Sequence, residues 1–84
     1  MSMILKVFTQ PACPKCPAAK KTVAQVEDKF TVEYYDIKTE DGLGEALQYD
    51  VMSTPSLVVL HGSKIIGEWR GEAPKAEELL NLLK

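Results

Sequence analysis

The 84-residue sequence predicts an α/β fold in the order β-α-β-α-β-β-α, a four-stranded mixed sheet with helices on both faces. Three observations carry this reading. Strand-length runs, apolar at residues 4–9 and 56–60 and rich in β-branched and aromatic side chains at 32–37, alternate with amphipathic stretches of helical period. The first two strands are separated by a helical stretch, which makes them a parallel pair with a right-handed crossover. A Gly62-Ser63 reversal then folds residues 64–70 back on the third strand as a hairpin, adding an antiparallel half.

Each element has its own warrant. Residues 4–9 are apolar almost throughout, as a central strand covered on both faces should be. Ala19, Val23, Val26 and Phe30 recur at spacings of four, three and four, the buried stripe of a helix running to about Lys29. Residues 32–37 are rich in β-branched and aromatic side chains and form the second strand. Leu43, Ala46 and Leu47 make the apolar side of a short helix ending near Tyr49 or Asp50. The third strand, residues 56–60, is again apolar, and residues 64–70 return from it. Ala76, Leu79, Leu80 and Leu83 lie at i, i+3, i+4 and i+7 and predict a docked C-terminal helix, with Pro74 just inside its start. With no linker, repeat or low-complexity segment, residues 1–84 are expected to form one domain.

Composition narrows the function. A net charge of −2, with no run of Lys or Arg interleaved with aromatics, argues against nucleic acid as a partner. No apolar stretch reaches the ~18–20 residues that span a bilayer, so no membrane association is expected. The start of the chain has no basic segment followed by a long apolar one, so the expected compartment is the cytoplasm.

The chemistry concentrates in Cys13-Pro14-Lys15-Cys16, which holds both cysteines of the chain and lies between a strand and a helix. A Cys-x-x-Cys there suits thiol–disulfide exchange: the helix N-terminus can activate one sulfur while the other stands within closing distance. A structural staple is a poor alternative. Cytosolic thiols are mostly kept reduced, and so small a loop gains less than the ~3 kcal/mol expected for a fifteen-residue one. Pro14 suits a first helical position, whereas Pro17 removes a donor and biases Cys16 away from helical geometry. The helix therefore begins near Pro17 or has an irregular first turn.

The element order, with Cys-x-x-Cys ending the first strand and Thr54-Pro55 opening the third, resembles the thioredoxin superfamily over the whole chain. The run from Phe8 to Lys20, with its Cys-Pro-x-Cys-Pro motif in a glutaredoxin-sized body, is most similar to the small glutaredoxin-like thioredoxins of the archaeal type. The resemblance implies a redox-active Cys13–Cys16 disulfide, with Cys13 as the exposed nucleophile and Cys16 as the more buried resolving thiol. It implies a cis Pro55 that, with Pro14 and Lys15, shapes the site. Thr54 would offer backbone groups to an extended substrate, and Gly71 would border the substrate surface, although a turn requiring positive φ accounts for that glycine equally well. Trp69 is read as packing and His61 as a hairpin-end residue remote from the cysteines. No metal and no cofactor beyond the disulfide is implied. The expected partners are disulfide-containing proteins and a thioredoxin-reductase-type electron donor, with the chain itself a monomer.

Departures from the family pattern are specific. Ala12 stands where thioredoxins usually have Trp, and Pro14-Lys15 where they have Gly-Pro. The carboxylate that assists proton transfer would fall at Val7. The stretch Gly71-Glu72-Ala73-Pro74 replaces the glutathione-binding Gly-Gly and Asp segment of dithiol glutaredoxins, and Glu72 would repel a glutathione carboxylate. Reduction of protein disulfides is therefore the leading expectation. The alternatives are a glutathione-dependent glutaredoxin, with glutathione as substrate, and a non-catalytic metal-binding CxxC protein. The last is poorly supplied with ligands, since a closed zinc site wants four and the chain offers two cysteines and a distant His61.

Overall fold

A computed structural model describes residues 3–84; Met1 and Ser2, which the expected domain includes, lie outside the described residues. The elements are β1 (Met3–Thr9), α1 (Cys16–Val26), β2 (Thr31–Asp36), α2 (Glu40–Gln48), β3 (Ser56–His61), β4 (Lys64–Arg70) and α3 (Ala76–Asn81). The sheet order is β2-β1-β3-β4, with β1 parallel to β2 and antiparallel to β3, and β4 antiparallel to β3. This is the α/β architecture expected from the sequence.

The central strands are apolar on both sides because each face has its own core. Leu5 and Val7 from β1 join Leu57 and Val59 from β3, Ala19, Val23, Val26 and Phe30, and Leu79 of α3. The alternate residues Phe8, Val58 and Leu60 point the other way, against Ala46 and Val51. Period-two alternation thus divides one apolar run between two layers. The full burial of Leu5, Val7, Phe8, Leu57, Val58 and Val59 stabilises the fold by about 1.5–3 kcal/mol for each large side chain.

Helix α1 ends at Val26, with residues 27–29 in turn conformation, so the expected stripe is correct while the helix is one turn shorter. Of the expected apolar side of α2 only Ala46 is buried. Leu43 and Leu47 remain 47% and 58% exposed, and the sheet-facing residues are Gly42 and Ala46. The reason is steric: a Cβ at Gly42 would overlap the Asp36 carbonyl, so only a glycine lets the first turn of α2 lie directly on the end of β2. Thr39 fixes that entry, its hydroxyl donating to the Asp36 carbonyl at 2.7 Å and accepting from the Gly42 N–H at 3.0 Å. In α3 only Leu79 is buried; Leu80 is more than one-third exposed, as is Leu83, which the expected helix includes but which lies beyond its end at Asn81. Pro74 precedes the Lys75 N-cap rather than opening the helix, and is itself buried.

Candidate functional site

Register brings three separated segments to one end of the sheet. Phe8 of β1 pairs with Ser56, and Ser56 pairs with Arg70. The loop after β1, the segment before β3 and the turn after β4 therefore leave the sheet side by side. They carry the cysteines, Thr54-Pro55 and Gly71 respectively.

Cys13 and Cys16 form a disulfide with their Cα atoms 5.4 Å apart. Cys13 is half-buried, in the loop ahead of the helix, whereas Cys16 is the first residue of α1 and only 5% exposed. Ala12 just before them has φ of 60°, the left-handed region that disfavours residues with a Cβ. Such strain is concentrated at functional loops. Pro14 and Lys15 are exposed on the rim.

The helix start resolves the two-proline ambiguity. Lys15 is the N-cap, Cys16 the first helical residue and Pro17 the second, where a missing N–H costs no helical bond. Cys16 N–H instead donates to the Cys13 carbonyl at 3.3 Å, and Ala19 N–H makes the first α-helical bond, to Lys15. Among the described residues, the Ala18 N–H has no backbone acceptor. The donor end of α1 is thus reduced, but it still faces the motif and no side chain caps it.

The bond between Thr54 and Pro55 is cis, as the resemblance implied. Pro55 is fully buried, and the Thr54 hydroxyl oxygen is buried without a hydrogen-bond partner. Gly71 has φ of 76°, so it does satisfy a turn that needs positive φ. Arg70, just before it, donates to the Tyr49 carbonyl at 2.9 Å and the Asp50 carbonyl at 3.3 Å, tying the end of β4 to the C-terminal end of α2. Met52, between that helix and Thr54, is 80% exposed.

Sequence reasoning missed two residues. Ser56, the first residue of the expected third strand, is fully buried at the junction of the three segments; its position directly after Thr-Pro is the available signal. Lys6 was absorbed into an apolar run, yet its ammonium is enclosed by Glu45 at 2.6 Å, Glu33 at 3.3 Å and the Tyr35 hydroxyl at 3.3 Å. Burial opposes its charge, but hydrogen bonds to Glu45, Tyr35 and Glu33 outweigh that and hold its pKa above the ordinary lysine range. The Tyr35 hydroxyl donates to Glu33 at 2.7 Å, and this bond, with Lys6, holds Glu33 below the usual carboxylate range.

Val7 is fully buried in the α1–α3 core. Trp69 packs partly buried against the same core, and Gly67 makes room for its ring, since a Cβ there would lie 3.1 Å from it. His61 ends β3 at the far edge from the cysteines. An open pocket of about 380 Å³ on the β2 side is lined by Thr9, Lys20, Tyr34, Tyr35 and Asp36 and includes neither cysteine. Among the described residues no three metal-ligating side chains cluster, and no helix is long and apolar enough to cross a membrane.

A disulfide at the strand-to-helix junction, at the same end of a four-stranded mixed sheet as a cis proline, agrees with what similar proteins are. The family model described as thioredoxin domain matches residues 3–84. A probable thioredoxin of Archaeoglobus fulgidus is 33% identical over 84 residues, covering 98% of this chain and 87% of the relative. A thioredoxin of Methanocaldococcus jannaschii is 33% identical over 82 residues, covering 95% and 91%. Among solved structures, a Thermus thermophilus thioredoxin superposes with a TM-score of 0.74 at 26% identity, covering 98% of this chain and 72% of that one. The Fasciola hepatica thioredoxin, at 19% identity, shares the fold with a TM-score of 0.76, covering 98% and 79%. With the whole described chain matched and the disulfide in place, this chain belongs to the thioredoxin family and is a thiol–disulfide oxidoreductase.

Proposed function

We propose that this chain is a cytoplasmic electron carrier in cell redox homeostasis, a glutaredoxin-sized thioredoxin that reduces protein disulfides with Cys13 as nucleophile and Cys16 as resolving thiol. The observation that carries the assignment of roles is the unequal burial of the bonded pair: Cys13 is half-buried at the loop and Cys16 is 5% exposed within the helix. In-line attack needs one accessible sulfur, and the second needs only to reach the first.

The Cys13 thiolate attacks one sulfur of the substrate disulfide, whose other sulfur leaves as a thiolate and takes up a proton. Cys16, losing its proton, then attacks the Cys13 sulfur and releases the second substrate thiol. The substrate gains two electrons and the Cys13–Cys16 disulfide re-forms. Lys15 and the donor end of α1 supply positive charge where the thiolate develops. With Val7 in place of a carboxylate, the Cys16 proton leaves through solvent, a lysine or a substrate group.

In this reading Pro14 and Pro55 shape the mouth of the site, Thr54 offers its backbone to an extended substrate and Gly71 borders the bound chain. A thioredoxin-reductase-type donor restores the dithiol, and no resident cofactor is required. The working unit is a monomer, with residues 1–84 as a single domain.

The test is a trap. A Cys16→Ser variant incubated with cell protein should accumulate mixed disulfides through Cys13, released by dithiothreitol and absent from Cys13→Ser. Recovery of glutathione alone on Cys13, with turnover of a glutathionylated substrate, would overturn the protein-disulfide reading.

A further inference from the structure

Two of the three segments of the site are tied together by one buried hydroxyl. Ser56 is fully buried, and its Oγ donates to the Ser53 carbonyl at 2.7 Å while accepting the Gly71 N–H at 3.2 Å. Both functions of the hydroxyl are therefore used, one toward each of the segments that flank the cysteine loop.

These bonds have a directional consequence. The Ser53–Thr54 peptide is trans, so its C=O and N–H point opposite ways. Because the Ser53 carbonyl is drawn inward onto Ser56, the Thr54 N–H is turned outward. No backbone carbonyl among the described residues takes that N–H. The second bond fixes Gly71, whose missing side chain lets it lie close to Ser53: a Cβ at Gly71 would stand 3.1 Å from the Ser53 hydroxyl oxygen. The spacing between the Thr54 edge and the Gly71 turn is thus set through Ser56.

We propose that Ser56 is a positioning residue for protein substrates: its hydroxyl presents the outward Thr54 N–H, at a set distance from Gly71, as a docking edge for the extended chain around a target disulfide. The proposal rests on the reading that the chain reduces protein disulfides. Ser56 touches neither substrate nor sulfur in this scheme and acts only through Ser53 and Gly71. Its loss should weaken docking of a polypeptide and leave exchange with a small disulfide untouched.

The experiment compares insulin with a small aromatic disulfide reagent for wild type, Ser56→Ala and Ser56→Thr, with dithiothreitol as reductant. For Ser56→Ala the expected result is a KM for insulin raised about three- to tenfold, the worth of a lost hydrogen bond, at little-changed kcat. The rate with the small reagent and the reduction potential should match wild type, and Ser56→Thr should restore the KM. An unchanged KM, or rates falling together for both substrates, would overturn the proposal. If Ser56→Ala folds poorly, Ser56→Thr against Ser56→Val gives the same comparison at nearly equal volume. Should neither Ser56→Ala nor Ser56→Val fold, the hydroxyl is a folding determinant and the positioning role falls. Wild type that reacts with the small reagent but not with insulin would instead sink the protein-disulfide reading itself.

Discussion

The Lys6 ammonium meets the Glu45 carboxylate at 2.6 Å, joining the central strand to α2 on the face opposite α1 and α3. Glu33 lies 3.3 Å away, and the rings of Tyr35 and Tyr49 stand 5.1 and 5.4 Å from the nitrogen. Three polar partners and two aromatic faces thus surround one nearly buried cation. Replacing Lys6 by Met should destabilise the protein by about 1–2 kcal/mol, below the loss for breaking a wholly buried pair because both carboxylates can recover water. Urea unfolding of Lys6→Met, Glu45→Gln and the double variant would measure the coupling. Additive effects of the two single changes would show that the pair is not coupled.

The same cluster sets a pH dependence with opposite signs at the two ends of the scale. Glu33 has a folded pKa below 4.5, chiefly through its bond from Tyr35, so its contribution is present above that value and is lost as pH falls through the folded pKa. Lys6 and Tyr35 have folded pKa values above their ordinary ones, so their contributions are present below about pH 10 and fade as pH rises through the folded values. Thermal unfolding followed across pH should lose stability at both ends. Glu33→Gln should flatten the acid limb; an acid limb identical to wild type would show that other carboxylates carry it.

Where the sequence was legible and where it was not follows from the range of the interactions. Val23 and Val26 declared α1 because helical spacing is local, and Leu57 and Val59 declared a buried strand for the same reason. The cysteine pair was readable from its own spacing between a strand and a helix, whereas the cis Pro55 was readable only through resemblance. Leu43 and Leu47 misled because α2 is oriented by the overlap a Cβ at Gly42 would meet at Asp36, a tertiary constraint that outweighs the apolar pattern. Lys6 was hidden because Glu45, its nearest partner, lies 39 residues away and belongs to a different layer. Ser56 was hidden because its hydroxyl serves residues on both sides of the hairpin.

Gly42 and Gly44, two residues apart in α2, should respond oppositely to alanine. At Gly42 a Cβ meets the Asp36 backbone, which cannot swing aside as a side chain would, so α2 must move off β2. A loss of about 1–3 kcal/mol is expected, the range for overpacking a fitted contact. At Gly44 nothing lies within 4 Å of the new Cβ, and removing a mid-helix glycine should stabilise by about 0.5–1 kcal/mol. Chemical denaturation midpoints decide the matter. Equal shifts for the two variants would mean that Gly42 does not seat the helix.

Lys15 is exposed beside the half-buried Cys13, at the N-cap of a helix with no acidic residue in its first turn. Its charge therefore adds to the positive end of α1 with no fixed anion on that turn to offset it. Lys15→Glu reverses that field and should leave less Cys13 thiolate at neutral pH. The smaller thiolate fraction is offset in part by higher intrinsic nucleophilicity, which returns somewhat less than half of the change on a logarithmic scale. Reaction of the reduced protein with a small uncharged disulfide should consequently slow only about two- to fourfold at low salt. Because the charge is exposed, the difference should shrink toward parity near 1 M salt, where the screening length is about 3 Å. A rate indifferent to the substitution at low salt would assign activation of Cys13 to the backbone of α1 alone. A deficit that persists at high salt would point instead to a change in loop geometry around Ala12 and Pro14.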